Sequence, residues 1–253
     1  LEPPRERLLT QFTSIPDGAK FLVDMRAFLI KARGDDPLLA ALEADLRRLL
    51  AAWFDVGFLE LRRIDWNSPA ALLEKLTAYE AVHAIESWRD MKNRLDSDRR
   101  CYAFFHPRMS GEPLIFVEVA LVPGMSDNVQ RLLDADAPIS DPKQVDTAIF
   151  YSISNCQPGL RGVSLGNFLI KRVADRLLQE VPGLKTFSTL SPIPGFSAWL
   201  DQGAPLDPEQ VSPSRLKKAT DALATLRLDR AKWADRLRSG WHPADAIDAE
   251  REA

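Results

Sequence analysis

A lone hydroxyl stands where an apolar run stops. In "KTFSTLSPIPGFSAWL" (185–200) the run ends at Leu190, and Ser191 is followed by Pro192, Pro194 and Gly195. Proline fixes φ and has no N–H to donate, so the backbone after Ser191 is stiff and the hydroxyl is held in one place. No base lies within sequence reach, which makes Ser191 a poor nucleophile. As a hydrogen-bond donor to a carboxylate or carbonyl oxygen it needs no activation. Its alternative role is to cap a helix beginning near Pro192. A second stretch, "QPGLRGVSLGNFL" (157–169), sets Arg161, Gly162, Val163, Ser164, Leu165, Gly166 and Asn167 between a strand and a long helix. Glycines there let a ligand approach the backbone. Free N–H groups and the positive helix end attract a pyrophosphate, and Arg161 can add a charged hydrogen bond. The stretch has neither Gly-Lys-Ser/Thr nor GxGxxG, so a turn without a ligand stays open as the alternative. Lys171 and Arg172 read as solvated helix-face residues.

The three histidines give less. His83 in "EAVHAI" is expected at a helix end, either facing a bound acyl group or buried and bonded to backbone. His106 ends a strand before Pro107 and reads as structural. His242 lies in the tail. No His, Cys or acidic pair has ligand spacing that stands out, so no metal site is expected. Cys101 and Cys156 sit among apolar residues and read as reduced, buried thiols.

These groups need a scaffold. The chain has 253 residues, 45% hydrophobic and 27% charged, with net charge −3. That supports one large core or two smaller ones. It argues against nucleic acid as a partner, and no apolar run approaches the length of a membrane span. Helical spacing predicts helices over 16–34, with Phe21, Met25, Phe28 and Leu29 on one face, and over 37–54. A strand is predicted at 58–66, then helices at 69–85 and 87–96. Strands follow at 99–107 and 113–123, a short helix at 127–134, a strand at 147–156, a helix at 162–181 and a strand at 185–190. Residues 207–238 read as a charged helix with Leu216, Leu223, Leu226 and Leu237. An antiparallel meander followed by strand–turn–helix–strand is a mixed α/β order with a parallel pair at its end. It fits an acyl-coenzyme A-binding fold of the acetyltransferase (GNAT) type.

The 157–169 stretch resembles the pyrophosphate loop of the GNAT superfamily, with Ser164 where a glycine is usual. Read together, "RRIDW", "YEAVHAI", "RRCYAFFHP", "EPLIFVEVAL", "AIFYSISNCQPGLRGVSLGNFLIKRV" and "LSPIPGFSAWL" resemble the malonyl-CoA decarboxylase family, in order, across 53–200. The resemblance implies a GNAT-like catalytic domain over 53–253, preceded at 1–52 by the end of a helical domain. It implies conversion of malonyl-CoA to acetyl-CoA and carbon dioxide, coenzyme A being part of the substrate, with no metal or organic cofactor. It places coenzyme A on Arg161 to Asn167 and the catalytic serine at Ser191. It also implies a histidine acid in a C-terminal "NPxAxFHLxNGA"-like segment, which this sequence does not contain, so the role passes to none of the three histidines. The expectation is a chain incomplete at both ends.

Two other classes compete. An acyltransferase on the same fold would need a carboxylate base, for which Glu80 and Glu118 are unremarkable candidates. A non-catalytic coenzyme A-binding fragment is the third reading. The expected partners are malonyl-CoA and acetyl-CoA, with homo-oligomer formation through the helical domain and neither nucleic acid nor membrane. The expected compartment is the cytoplasm, or an organelle in a eukaryote.

Overall fold

The computed structural model describes residues 4–141, 143–163, 165–193, 195, 198 and 217, and for Asn167 the backbone alone. Ser164, Pro194, His242 and the helix expected over 207–238, apart from Lys217, lie outside the described residues. Residues 1–191 form one compact unit, and residues 192–253 form a second. The description below concerns the first unit.

The chain opens with α1 (Pro4–Thr10), α2 (Gly18–Ala32) and α3 (Pro37–Trp53). Asp36 caps α3 by accepting the N–H groups of Leu38 at 2.8 Å and Leu39 at 3.3 Å, with Pro37 in the first turn. The buried face of α2 corrects the sequence expectation. Phe21 and Phe28 are 52% and 68% exposed, and the inward stripe is Ala19, Leu22, Val23, Arg26 and Leu29. Two neighbouring stripes are compatible with the 3.6-residue period. The one carrying Arg26 faces in because its buried guanidinium finds partners there. It donates to Glu43 Oε1 on α3 and, at 2.6 Å, to the carbonyl of Gly159. Gly159 itself packs against α2 so closely that a Cβ on it would lie 1.8 Å from the Val23 carbonyl oxygen. The helices and the distant 157–163 turn are thus locked together.

After α3 come β1 (Glu60–Ile64), α4 (Ala70–Tyr79), α5 (Trp88–Arg94), β2 (Arg99–Phe105), β3 (Ile115–Val122), α6 (Val129–Leu133), β4 (Thr147–Asn155), α7 (Gly166–Glu180) and β5 (Thr186–Thr189). The strands form one sheet in the order β1-β2-β3-β4-β5. The first four are antiparallel neighbours, and β4 and β5 are parallel with α7 as the crossover. This is the mixed α/β order the sequence predicts for an acetyltransferase-type fold. One face carries Tyr102, Phe104, Ile115, Val117, Ala148 and Phe150 against Leu165, Leu169, Val173 and Leu177 of the α7 region and against the N-terminal helices. On the other face Ile64, Ala103, Phe105 and Phe116 meet α4 and α5, and Ala120, Ile149 and Tyr151 meet α6. The alternation of inward residues along each strand sorts these two layers.

The β3–β4 register breaks once. Val119 faces Phe150 and Glu118 faces Ser152, leaving Tyr151 as the extra residue of a bulge. Glu118 lies on the α5 side of the sheet, 3% exposed, and its carboxylate accepts from Arg94 Nη1 at 2.9 Å. Arg94 is 2% exposed and also donates to Asp90 and to the Ala84 carbonyl. Burial pushes the Glu118 carboxyl up to about 7, against the downward pull of Arg94.

Two outcomes follow from this packing. A carboxyl whose pKa is raised by folding adds stability below its unfolded value and loses it as pH rises through the folded value. The unfolding free energy should therefore fall from about pH 5 to about pH 8 through Glu118, and Glu118→Gln should flatten that slope in denaturant titrations across the range. Gly159→Ala should cost about 3 kcal/mol, the upper end for overpacking against a rigid neighbour. A wild-type thermal midpoint for Gly159→Ala would contradict the close approach to Val23.

Candidate active site

The site begins where β5 leaves β4. The two strands are paired through Thr147–Phe150 and Thr186–Thr189, and the last bond is Leu190 N–H to the Phe150 carbonyl at 2.9 Å. Ser191 follows at once and is exposed. Among the described residues its hydroxyl has no hydrogen-bond partner: of the N–H groups a cap would accept, Pro194 has none, and the Ile193 N–H makes no bond to Ser191. The capping alternative gains no support from that arrangement.

β4 itself runs on to Asn155, held on its other edge by β3. From Ser152 to Asn155 the edge that β5 has left faces no strand among the described residues. An unpaired edge offers a row of backbone N–H and C=O groups. At ~3.3 Å per residue, the path from Phe150 to Gln157 is roughly 20 Å long.

At its far end lies the glycine turn. A tight turn at Pro158–Leu160 ties down the Arg161 N–H at 3.1 Å, and Val163 N–H bonds the Leu160 carbonyl at 2.9 Å. Gly162 adopts φ +83°, a left-handed conformation that only glycine takes freely. That residue cannot be helical, so α7 starts at Gly166 and not at 162 as the sequence pattern suggests. Gly166 is consequently the first helical residue, not a position one turn inside. The residue before it, Leu165, has no side-chain acceptor, so the first-turn N–H groups of α7 lack a cap from that position. An uncapped helix start with Arg161 exposed beside it is a place for an anion. A Cβ on Gly166 would meet only Ile115 Cδ1, at an ordinary 3.7 Å. Neither the backbone nor the packing therefore demands glycine at 166. A cavity of about 470 Å³ adjoins the turn, lined by Asn155, Arg161 and Gly162 and by Ala27, Ile30 and Lys31 of α2. The α2 wall, Arg26 and Gly159 had no sequence signal as site residues, because they meet across 133 positions.

The other candidates sit elsewhere. α4 ends at Tyr79, so His83 lies in the following loop and not at a helix end. The cause is Glu80, whose Oε1 accepts the N–H groups of Val82 at 2.8 Å and His83 at 2.9 Å and turns the chain. Ser152 Oγ lies 2.8 Å from both Glu80 oxygens, and Ser154 Oγ donates to Oε2 at 3.1 Å. His83 is half-buried, and its Nε2 is buried without a hydrogen-bond partner among the described residues, so the backbone-bonded reading does not describe that nitrogen. His106 is structural. Its Nδ1 accepts the Arg108 N–H at 3.2 Å, its ring packs on Phe54, and burial lowers its pKa. Glu80 and Glu118 are far from unremarkable, but both are engaged by donors and neither is free to deprotonate an amine. Cys101 and Cys156 are free and buried, and burial raises both thiols above their usual range, the opposite of an activated nucleophile. Among the described residues no group of three or more His, Cys, Asp or Glu is placed to hold a metal. No described helix is long and apolar enough to cross a membrane.

Known proteins match this arrangement. The family model of the malonyl-CoA decarboxylase C-terminal domain matches residues 57–248, and that of the malonyl-CoA decarboxylase N-terminal domain matches residues 1–54. The mitochondrial malonyl-CoA decarboxylases of Mus musculus and Anser anser anser are each 43% identical over 204 residues, covering 78% of this chain and 42% and 40% of theirs. The chain thus spans less than half the length of these relatives. The crystal structure of malonyl-CoA decarboxylase from Agrobacterium vitis superposes with a TM-score of 0.76 at 44% identity, over 93% of this chain and 58% of that one. The Rhodopseudomonas palustris structure gives 0.77 at 40% identity, over 99% and 58%. A five-stranded mixed sheet that parts above a proline-locked serine, and matches to both family models, lead to one assignment: the chain belongs to the malonyl-CoA decarboxylase family.

Proposed function

We propose that the chain carries the coenzyme A-binding and catalytic part of a malonyl-CoA decarboxylase, converting malonyl-CoA to acetyl-CoA and carbon dioxide. The observation that carries this reading is the open edge of β4, which runs from Ser191 at one end to the uncapped start of α7 at the other. The pyrophosphate lies on the backbone of Arg161–Asn167, and the Arg161 guanidinium adds a charged hydrogen bond. The pantetheine arm pairs with the free edge of β4, and the thioester reaches the parting of the strands. There the C–C bond to the carboxylate breaks, and its electron pair moves into the enolate of acetyl-CoA. The Ser191 hydroxyl donates to the oxygen that gains charge and orients the departing carboxylate before it leaves. A preorganised donor of this kind supplies ~3–4 kcal/mol. A proton delivered to carbon completes the step, and the general acid that delivers it contributes roughly 10²–10⁴-fold. His83 is the described histidine nearest in sequence to the Glu80 loop that walls the strand edge, but the acid role is assigned to none of the three.

Coenzyme A is part of the substrate in this reading, and neither a metal nor an organic cofactor takes part. Residues 53–253 supply the chemistry, and residues 1–52 brace the anion turn through Arg26. Exposed Phe21, Phe28 and Leu38 on α2 and α3 support a homo-oligomer formed through those helices. The compartment is read as cytoplasmic, or organellar in a eukaryote, where the mitochondrial relatives favour the organelle.

Two experiments on the full-length protein test this. Ser191→Ala should lower kcat at least ~10²-fold and by more than it raises KM, with little change in thermal midpoint, the loss expected of a donor whose contacts strengthen toward the transition state. A lowered midpoint with wild-type turnover would return Ser191 to a structural role, and an acyl adduct on Ser191 by mass spectrometry would make it a covalent nucleophile instead. Gly166→Ala tests the anion turn without the backbone strain that any change at Gly162 brings. It should leave the midpoint unchanged or slightly raised and weaken malonyl-CoA and acetyl-CoA alike by roughly 10-fold, the effect of about one lost hydrogen bond to a charged group. Unchanged affinity for both by calorimetry would sink the anion assignment.

A further inference from the structure

The cavity beside the anion turn has a sign. None of the residues that line it is acidic, and it carries Lys31 from α2 and Arg161 from the turn. Arg47 reaches the same turn from α3. A Cβ built on Gly162 would lie 3.5 Å from Arg47 Nε and 3.7 Å from Arg47 Nη2. Among the described residues none of these three cations has a carboxylate partner, although the chain holds 36 acids against 33 lysines and arginines. Several other cations of the N-terminal helices are engaged. Arg48 pairs with Asp45 at 2.7 Å and lies 3.8 Å from Glu6, Arg5 pairs with Asp45 at 3.1 Å, and Arg26 pairs with Glu43 at 2.8 Å. The larger cavity between β1 and α7, about 730 Å³, has four arginines as well. There Arg62 pairs with Glu60, Arg63 and Arg176 share Glu180, and Glu60 and Asp175 line the cavity itself. The glycine turn thus gathers three cations beside a cavity whose described lining holds no carboxylate, a charge that is self-repelling until an anion arrives.

The turn and the helix start, with Arg161, suffice for a pyrophosphate. Lys31 and Arg47 are left over, and both come from the helical segment. We propose that Lys31 and Arg47 bind a further phosphate, the 3′-phosphate on the adenosine end of coenzyme A, so that the anion site is built jointly by α2, α3 and the turn. The inference rests on the coenzyme A reading and adds to it the two residues that distinguish coenzyme A from its dephosphorylated form. A phosphomonoester carries close to two charges near neutral pH, and an arginine can bind it through two parallel N–H donors. The Arg26–Glu43 and Arg26–Gly159 contacts hold both helices against the turn before any ligand binds, so the two cations are delivered to the site by the fold.

Calorimetry on the full-length protein with coenzyme A and with 3′-dephospho-coenzyme A decides the matter. Wild type should bind coenzyme A at least ~10-fold more tightly, the scale of one or two charge-assisted contacts. Lys31→Ala/Arg47→Ala should bind the two ligands equally, at the wild-type affinity for the dephospho form. Arg47→Lys, which keeps the charge, should retain part of the preference. Both side chains are exposed and unpaired, so the unliganded variants should melt as wild type does. Wild-type discrimination in the double variant, or an equal loss for both ligands, overturns the inference while leaving coenzyme A binding in place. Failure of wild type to bind either ligand overturns the coenzyme A reading and this inference with it.

Discussion

The parting of β4 from β5 at Phe150 is the constraint on which the rest of the site depends. At the same place β4 carries its bulge against β3. The bulge places Tyr151 and Ser152 on the same side of the sheet, so every later side chain of β4 is shifted by one. Ala148 and Phe150 face the α7 layer before the bulge, and Ile153 faces it after. Ser152 and Ser154 consequently turn to the α4 side, where the Glu80 carboxylate receives them. Without the extra residue Ser152 would enter the apolar layer under α7, and its hydroxyl would lack a partner there. Phe150, the last residue of β4 paired with β5, stands next to that extra residue. One inserted residue thus sorts the polar side chains beside the open edge.

That arrangement requires polar groups to be buried, which is costly unless each is satisfied. Glu80 meets the requirement with two backbone N–H groups and two serine hydroxyls. Ser154 in turn accepts the Ala81 N–H at 3.2 Å, so the network closes on the loop after α4. The neighbouring Arg94–Glu118 pair is deeper, and Arg94 spends its remaining donors on Asp90 and the Ala84 carbonyl. Such buried pairs add little to stability against an apolar alternative, but removal of one partner strands the other. Their effect here is positional. They bind the 80–86 loop, α5 and the bulged strand into one rigid wall beside the edge that would carry the ligand.

Most of this architecture is legible in the sequence because it is made of local signals. Asp36-Pro37, Ser87 and Asn128 mark helix starts, and each caps as its residue type predicts. The strand–turn–helix–strand order that contains the glycine turn follows from periodicity alone. Features that depend on distant partners are not legible. The choice between two apolar stripes on α2 is made by Gly159 and Glu43, and nothing within one helical turn of Arg26 announces either. The early end of α4 is made by one carboxylate folding back on its own loop. The start of α7 shifts by four residues because Gly162 is left-handed, whereas the helical pattern of apolar side chains extends through it. Ser191 stands out in the sequence as a hydroxyl before a rigid turn, but its place at the end of the β4–β5 pairing is set by a strand distant in sequence.

Arg26 shows why the helical segment cannot be treated as a detachable prelude. A guanidinium 3% exposed is tolerated only with its donors occupied, and its acceptors come from α3 and from the anion turn. The apolar core repeats the lesson, because Leu22, Val23, Leu46 and Leu50 pack in the same cluster as Phe150, Leu165 and Leu169. A shift of α2 would therefore strand a charge, move Gly159 and reshape the turn at once. Helices at one end of the chain and a glycine turn more than a hundred residues later behave as one mechanical object. The family's two sequence models meet between residues 54 and 57, but the packing crosses that line without interruption. The geometry of the glycine turn is set as much by the N-terminal helices as by the strand and helix that flank it.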